Sequence, residues 1–521
     1  MTVYHLLAVL VSVALISGWY LFYGSASLLT RPMLLVFGWC AIGAWLVVFR
    51  PVLNGELEIY DWRLRFALSS DRSMPAIAPA AQLIDWQPTS HDYPGFLGGG
   101  YWAEVKGVRL EADWHAHPPV EVWRREIGAG WSGFAISGNY AITQEQRGDC
   151  EWVSCYRLDT GAPVWARSDA TRFDPASFTG GLGGVGPRAT PTIHSGRAFT
   201  QSAKGYVNCF DMRTGSLLWA RDVRSDTASD IVTWGKAGSP LVVDDMVIIS
   251  VGAPEDKALR ETYRSSLVAY DFNGNVRWTT GNRQTSYATP IVATLAGERQ
   301  IICINEGWVT AHRVVDGTML WEHPWSGDTD GNPNCTQPIP LAGDRLFLSK
   351  GYGVGASLLH IERDQAGTLK AQTVWDPPIA PVMKTKFANV VIRDGFIYGL
   401  DNTLLECIKI ETGTVQWKKR RRPDFGHGQI LLVGDAILVL SETGELALVE
   451  VNPTKYVELS SIQALDPEGV TWNTLAFSAP YLLVRNASEA ACYRLPLNDE
   501  ARPRPEPELA SGGKRDGPIL R

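Results

Sequence analysis

Polar and aromatic residues that could bind a ligand recur through the middle of the chain, most of them a few positions before an alternating apolar segment. Basic, amide, histidine and indole side chains bind small molecules or protein segments when a fold brings them together in a concavity. The alternative is that these side chains bond to one another and to water and fill the centre of the fold. We predict a cofactor-binding or ligand-binding site formed by Gln144, Glu145, Arg147, Arg188, Trp234, Lys236, Tyr287, Asn334, Lys386, His427, Gln429, Trp472 and Asn473.

Two further motifs resemble ligand sites but lack the sequence context that such sites need. Residues 181–186 match G-x-G-x-x-G, but Pro187 and a predicted strand follow, where a dinucleotide site needs a helix. The segment 328–334, DTDGNPN, alternates oxygen-bearing side chains as calcium ligands do, but the distal glutamate of an EF-hand loop is absent. Both segments are therefore predicted to be loops.

Histidine and cysteine offer little catalytic chemistry. The eight cysteines and nine histidines form neither a CxxC pair nor a zinc-like spacing, so no metal site is predicted. No Ser/His/Asp or Cys/His set is recognisable from spacing, and no catalytic residue is predicted. His427, in the phrase GHGQ, lies at a predicted channel mouth and is the histidine included in the predicted site.

The elements that must position these residues come from an internal repeat. A turn glycine followed four residues later by tryptophan predicts a strand, a tight turn and an outer strand each time. The glycine allows the positive φ of the turn, and the tryptophan ring can cover the gap to a neighbouring sheet. The phrase occurs at Gly161/Trp165, Gly215/Trp219, Gly274/Trp278, Gly317/Trp321 and Gly413/Trp417.

The repeats predict a closed, all-β ring. Eight hairpins of alternating apolar residues can be counted, and looser outer strands end at Trp375 and over residues 455–459. The eighth unit stops at Leu497 without an outer strand, and the segment Val120–Glu126, VEVWRRE, resembles an outer strand with no hairpin before it. Pairing the two would close the ring and remove its open edges. We predict an eight-bladed β-propeller of four-stranded antiparallel blades over residues 120–498, with seven blades as the alternative.

The N-terminal part differs from the repeats. Apolar runs at about residues 5–23 and 33–48 approach the length of a bilayer-spanning helix, which predicts a two-helix transmembrane anchor over residues 1–50. Arg50, Arg63 and Arg65 follow the second run and favour a cytoplasmic position for the rest of the chain. Residues 51–119 are predicted to be a linker, and residues 499–521 a disordered tail.

Composition narrows the class of partner. The formal net charge is −7 and no basic face is evident, so nucleic-acid binding is not predicted. The 50 glycines and 20 tryptophans suit turn-rich β structure.

The repeated phrases, such as CFDMRTGSLLW, resemble the PQQ-like repeat of the quinoprotein alcohol-dehydrogenase-like propellers. Phrases such as WGKAGSP and GHGQILLVGD are most similar to membrane-anchored bacterial members of that family. The resemblance implies a location outside the cytoplasm, and we predict an inner-membrane protein with a periplasmic propeller. Quinoprotein dehydrogenases carry an adjacent Cys-Cys pair, a catalytic Asp and a calcium site. This chain has no Cys-Cys dipeptide, and the other two cannot be placed by motif.

The resemblance leaves two functions open. The same superfamily includes a propeller lipoprotein of the outer-membrane β-barrel assembly machinery, which binds proteins and catalyses nothing. We predict a non-enzymatic protein-interaction scaffold, integral to the membrane and without a cofactor, whose protein partner is unidentified. The alternative is an oxidoreductase that uses pyrroloquinoline quinone (PQQ) with calcium, or another cofactor, in the central channel.

Overall fold

A computed structural model describes residues 3–24, 27, 30–53, 59–64, 84–100, 102–175, 183–253, 265–376, 380–467 and 469–498. The chain begins with helices α1 (Val3–Tyr23) and α2 (Thr30–Val48), followed by a hairpin of β1 (Phe49–Leu53) and β2 (Ile59–Leu64). Among these residues, no helix combines the length and apolar character that a membrane span requires. The two-helix anchor predicted over residues 1–50 is therefore not confirmed. The predicted C-terminal tail lies outside the described residues.

Residues 84–119, which we call the strap, connect the N-terminal elements to the repeats. The strap contains a 3-10 helix (Phe96–Gly99) and a short strand, β3 (Glu104–Val105), and leads into β4 (Val120–Glu126). Tyr93, Leu97 and Trp114 of the strap are buried in the main hydrophobic core. The segment predicted as a linker thus packs against the repeats over its described C-terminal part.

Eight blades follow, each built on an antiparallel sheet of four strands. The strands of a blade are consecutive except in blade 8, and the sheet of blade 7 carries β3 as a fifth strand. Blade 1 contains β5 (Ala135–Ser137), β6 (Tyr140–Arg147), β7 (Cys150–Arg157) and β8 (Pro163–Asp169), and blade 2 contains β9 (Thr192–His194), β10 (Arg197–Gln201), β11 (Tyr206–Asp211) and β12 (Leu217–Asp222). Helix α3 (Val223–Thr227) follows blade 2. Blade 3 contains β13 (Leu241–Val243), β14 (Met246–Ser250), β15 (Leu267–Asp271) and β16 (Val276–Thr280), and blade 4 contains β17 (Ile291–Leu295), β18 (Glu298–Asn305), β19 (Trp308–Arg313) and β20 (Met319–Pro324).

Blades 5 to 8 repeat the pattern. Blade 5 contains β21 (Ile339–Leu341), β22 (Arg345–Lys350), β23 (Gly355–Arg363) and β24 (Leu369–Trp375), and blade 6 contains β25 (Val391–Arg393), β26 (Phe396–Asp401), β27 (Leu404–Lys409) and β28 (Val415–Lys419). Blade 7 contains β29 (Gln429–Val433), β30 (Ala436–Leu440), β31 (Glu445–Glu450) and β32 (Glu458–Gln463). Blade 8 contains β33 (Ala476–Ser478), β34 (Tyr481–Arg485) and β35 (Glu489–Arg494) and is completed by β4. The predicted eight-bladed all-β propeller is confirmed.

Ring closure also occurs as predicted. Strand β4 pairs with β35, so that Trp123 lies opposite Cys492, and it supplies the outer strand that blade 8 lacks. The outer strand of blade 7, predicted over residues 455–459, instead begins at Glu458, because residues 451–457 form a longer turn in place of the glycine turn.

The repeated tryptophans join each blade to the next. The Trp165 ring of blade 1 lies against the turn glycine of blade 2, Gly215, and its Nε1–H donates to the carbonyl of Met212 in the same turn at 3.1 Å. The rings of Trp123, Trp219 and Trp375 make the same pair of contacts with the blades that follow them. The prediction that these rings cover the gaps between blades is confirmed.

The strap enters the central channel from one end. The first strand of each blade lies at the axis, with the first strands of neighbouring blades against one another. Tyr93 forms a bridge with Ile136 of β5, and β3 pairs in parallel with β29 on the edge opposite β30. Because that edge faces the axis, β3 lies inside the channel. The strap therefore occupies the channel at the end where the first and second strands of each blade are joined.

Candidate functional site

The predicted site residues lie at the other end of the channel, which we call the mouth. The mouth is formed by the loops that enter the first strand of each blade and by the turns between second and third strands. Loops of blades 1 and 8 meet there, with the rings of Trp131 and Trp472 at 4.7 Å between centroids. Since the strap lies at the opposite end, the mouth is the end of the channel that the strap does not cover.

Several predicted residues hold the loops of the mouth together. The amide nitrogen of Gln144 donates to the carbonyl of Ala189 at 2.6 Å, and that of Asn473 donates to the carbonyl of Ser132 at 2.9 Å. Gln429 bridges two other loops by donating to the carbonyls of Phe387 and Trp472, both at 2.9 Å. These amides satisfy buried main-chain groups of neighbouring blades, which is a structural role.

Two basic residues are held in the same way. The Lys236 amine is buried and donates to the carbonyls of Val251 at 2.5 Å and Asp230 at 2.9 Å. Burial lowers the pKa of Lys236 to about 7. Arg188 donates to the carbonyls of Gly183 and Gly184 at 2.9 and 2.7 Å, and burial lowers its pKa to about 10. Residues 183–186 of the G-x-G-x-x-G motif therefore form a loop held by Arg188, as predicted. The first two positions of the motif, 181 and 182, lie outside the described residues.

Glu145 and Arg147 belong to a buried ionic network at the seam between blades 1 and 8. The Glu145 carboxylate accepts bonds from Arg147 at 2.9 Å, from the Tyr156 hydroxyl at 2.5 Å and from the Gly128 N–H at 2.6 Å. Burial alone would raise the pKa of Glu145. The charge of Arg147 and the hydrogen bonds to the carboxylate outweigh burial, so the pKa lies below its ordinary value. Arg485 of blade 8 adds a bond to the carbonyl of Gly128 at 2.8 Å. The network links the first and last blades.

The surface that the mouth offers to a partner consists of aromatic rings. We call the rings of Trp131, Trp472 and Phe387 the aromatic platform: Trp472 lies between the other two, with ring centroids at 4.7 Å on both sides, and all three are half-buried. His427 lies under the Phe387 ring at 5.5 Å and is buried. The indole N–H of Trp472 donates to Glu442 at 2.8 Å, which fixes the orientation of that ring.

The glycines of the GHGQ phrase explain how the platform forms. A β-carbon at Gly426 would collide with Glu442, and one at Gly428 would collide with the carbonyl of Leu440. The two glycines therefore let the loop of blade 7 pack closely against Glu442 and the end of β30. Above this loop, the Phe387 ring of blade 6 contacts the Trp472 ring of blade 8. Lys386 extends the platform, with its amine 5.2 Å from the centroid of the Tyr352 ring.

The loop of blade 5 covers the remaining side of the mouth. The Asp328 carboxylate accepts bonds from the main-chain N–H groups of Asp330 and Asn332, both at 2.9 Å, so the calcium-like segment is a turn closed by its own first side chain. The indole N–H of Trp234 donates to the carbonyl of Asp330 at 2.9 Å, and the Tyr287 hydroxyl donates to the carbonyl of Thr329 at 2.6 Å. Burial raises the pKa of Tyr287. Asn334 is buried beneath this loop, where its side-chain oxygen accepts a bond from Trp325 at 3.0 Å.

Sequence reasoning missed part of the site. Phe387 and Glu442 were not predicted, although Phe387 directly follows Lys386 and could have been found as an aromatic residue in a channel loop. Glu151, at the start of β7, is buried, and its Oε1 has no hydrogen-bond partner among the described residues. Burial raises the pKa of Glu151 to about 7, while Arg188 nearby opposes the rise. The sequence signal for Glu151 is an acidic residue near the start of a strand that is largely apolar or aromatic apart from Ser154 and Arg157.

The residues present do not fit a quinone with calcium. A calcium ion needs six to eight oxygen ligands, and within the described residues no three His, Cys, Asp or Glu side chains are placed to hold a metal. Lys236 and Arg188, which could have bound quinone carboxylates, are engaged with main-chain carbonyls. The alternative of a PQQ-dependent oxidoreductase therefore gains no support from the mouth.

Comparison with known proteins decides the family. The family model described as "Outer membrane protein assembly factor BamB" matches residues 149–419, more than half of the chain. The chain belongs to this family. This agrees with the resemblance to PQQ-like repeats that the sequence phrases indicated.

Members of the family with curated names are distant relatives. The outer membrane protein assembly factor BamB of Moranella endobia (strain PCIT) is 20% identical over 362 residues, which cover 66% of this chain and 83% of the relative. The protein of the same name from Yersinia pestis is 22% identical over 375 residues, covering 66% and 82%.

Solved structures share the fold. The crystal structure of BamB from Moraxella catarrhalis aligns with a TM-score of 0.50 at 15% identity, covering 72% of this chain and 99% of that one. The quinohemoprotein alcohol dehydrogenase ADHIIG from Pseudomonas putida HK5 aligns with a TM-score of 0.53 at 11% identity, covering 80% and 82%. Both likenesses concern the propeller and do not choose between their functions.

Proposed function

We propose that this protein is a non-enzymatic protein-interaction scaffold of the bacterial envelope, which binds a partner protein at the mouth through the aromatic platform. One observation carries the proposal: the accessible surface of the mouth is a row of half-buried rings, whereas the polar side chains around it hold the loops in place. A catalytic site would need polar groups directed at a reacting atom.

Energetics favour a protein partner for such a surface. Aromatic residues are enriched in the cores of protein interfaces, and tryptophans dominate the residues whose truncation costs most affinity. The rings of the platform are already oriented, Trp472 by Glu442 and Trp131 by the carbonyl of Gly183, which its indole N–H meets at 2.7 Å. Little side-chain entropy would be lost when a partner covers them.

Membership of the family supports a periplasmic location and a role in assembling envelope proteins. Its named members are outer membrane protein assembly factors, so we place the propeller on the periplasmic side, in a role that brings envelope proteins together. This location also agrees with the sequence resemblance and not with the arginine count near the N-terminus. The quinone-dependent alternative rests on fold likeness alone.

Photo-cross-linking in the native bacterium tests the proposal. Benzoylphenylalanine is introduced at Lys386, beside the platform, and separately at Val415, an exposed rim position. We expect one reproducible adduct from position 386 that is absent from position 415. Trp472→Ala should weaken the adduct about tenfold or more, whereas Val415→Ala should not change it.

Two results would overturn the scaffold function. One is the same adduct pattern from both positions, which would mean contact without a defined interface. The other is stoichiometric binding of PQQ in the presence of calcium, with dye-linked alcohol oxidation that the change Arg188→Gln or Lys386→Gln abolishes.

A further inference from the structure

A second candidate binding site lies in the channel at the strap end. A cavity of about 460 Å³ lies between Trp102 of the strap and the first strands of blades 4 and 5. Its walls include Val292, Thr294, Leu341 and Arg299. Trp102 is fixed there because the next residue, Ala103, accepts a hydrogen bond from the Leu432 N–H of β29 at 2.8 Å. The volume lies in the range of about 300 to 1,000 Å³ that is typical of ligand sites.

The cavity exposes the edges of two β-strands. Among the described residues, β17 pairs only with β18, and β21 pairs only with β22. The free edges of both strands face the channel, where alternate N–H and C=O groups point toward the axis. Such an edge is the usual receptor for an extended segment that adds as a further strand.

The strap shows that this channel accepts extended segments in this way. At blade 7, β3 pairs with β29 through Glu104 and Val105. At blade 2, the carbonyl of Pro94 accepts a bond from the Ile193 N–H of β9 at 2.7 Å. The strap thus uses the edges of blades 1, 2 and 7 and leaves those of blades 4 and 5 beside the cavity.

We propose that the cavity binds an extended segment of a partner protein, which pairs as a strand with the channel edge of β17 and places an apolar side chain against Trp102. This inference rests on the proposed scaffold function and adds a second contact to it. A single protein could then be held at both ends of the channel.

The walls define the chemistry of the segment. Trp102, Val292 and Leu341 make an apolar surface, and Thr294 adds a hydroxyl. The one charged wall residue, Arg299, is engaged with both carboxylate oxygens of Asp244 at 2.8 Å. The segment should therefore be uncharged where it pairs, with β-branched or aromatic side chains that favour strands, and only a few residues long.

Selection from a phage library of random dodecapeptides tests the site, with the full chain as the target. The blocking variant is Thr294→Trp, which fills the cavity from an exposed position. The matched control is Thr373→Trp, on the exposed rim strand β24. We expect selected peptides to be uncharged and rich in β-branched residues. They should bind the wild type and Thr373→Trp equally and bind Thr294→Trp at least about tenfold more weakly.

Location is checked by benzoylphenylalanine at position 294, which should cross-link a selected peptide and not a scrambled copy. Failure to select any peptide, equal binding to both tryptophan variants, or no specific cross-link would overturn the inference. These failures differ from failure of the scaffold function, because the adduct from position 386 would remain.

Discussion

At the scale of single residues, Glu151 is a buried carboxyl beside the mouth with incomplete hydrogen bonding. One carboxylate oxygen accepts a bond from the Ala203 N–H at 3.2 Å, and the other has no partner among the described residues. The charges that face it are Arg188, which favours its ionised form, Asp169, which opposes it, and Lys204, which favours it. Desolvation outweighs them and raises its pKa to about 7.

Glu151→Gln should therefore stabilise the protein above neutral pH. A carboxyl with a higher pKa in the folded than in the unfolded chain holds its proton more tightly when folded, so its contribution to stability is lost as pH rises from about 4.5 to 7. Glutamine avoids that loss, which corresponds to about 3 kcal/mol. Urea unfolding at pH 5 and pH 8 measures it, with Glu126→Gln on exposed β4 as the control. A variant that gains nothing at pH 8 would contradict the argument.

At the scale of elements, the contact between a tryptophan and the following turn glycine is the unit that builds the ring. Gly215 has φ +63°, and a β-carbon there would lie 2.5 Å from the Trp165 ring. Glycine is thus required twice, by the backbone conformation and by the close approach. Trp321 departs from the pattern, since its indole N–H donates to Gln300 of its own blade at 2.6 Å.

Gly215→Ala should separate these two requirements when it is compared with Gly367→Ala. Both glycines have positive φ, but a β-carbon at Gly367 would meet open space. Strain alone costs about 1 to 2 kcal/mol, and overpacking against Trp165 adds about 1 to 3 kcal/mol. We expect the free energy of unfolding to fall clearly more for Gly215→Ala than for Gly367→Ala. Equal losses would show that the tryptophan contact contributes little.

At the scale of the whole molecule, closure of the ring joins the two ends of the propeller. Strand β4 comes from before blade 1, yet it pairs with β35 near the end of the described chain, with Glu126 opposite Glu489. The buried network of Glu145 and Arg485 adds a second link across the same seam. At this seam, blade 8 is built from residues at both ends of the repeat region.

A disulfide across this seam should strengthen the whole ring. The changes Glu126→Cys and Glu489→Cys place cysteines at directly paired positions, where the Cα separation suits a disulfide. Because the closed loop is long, about 360 residues, the chain-entropy model gives about 6 kcal/mol of stabilisation. Guanidinium unfolding with and without reductant measures it, after peptide mapping confirms the bond. If oxidised and reduced forms unfold together, opening of the seam does not limit stability.

The fold could be predicted from the sequence because its signals are local. Most blades combine a turn glycine, an alternating hairpin and a tryptophan within a few tens of residues, as at Gly215 and Trp219. Blade 7, which lacks the glycine turn and the tryptophan, is recognisable from its hairpin alone. The closing strand could also be predicted, since an outer strand without a hairpin and a hairpin without an outer strand need each other. Each of the five predicted outer strands carries the repeated tryptophan. In the structure, the indole N–H of this tryptophan bonds to the next blade, as in Trp165, or within the same blade, as in Trp321.

The sequence by itself thus determined the blade number, the closure and the group of loops that meet at the mouth. Only the tertiary structure decided which mouth residues hold the fold and which are presented to a partner. Asn473 binds the carbonyl of Ser132 across 341 positions of sequence, and no local pattern encodes such a pair. The same holds for the strap, because a strand as short as β3 has no pattern of its own and is specified by the free edge of β29 that it meets in the channel.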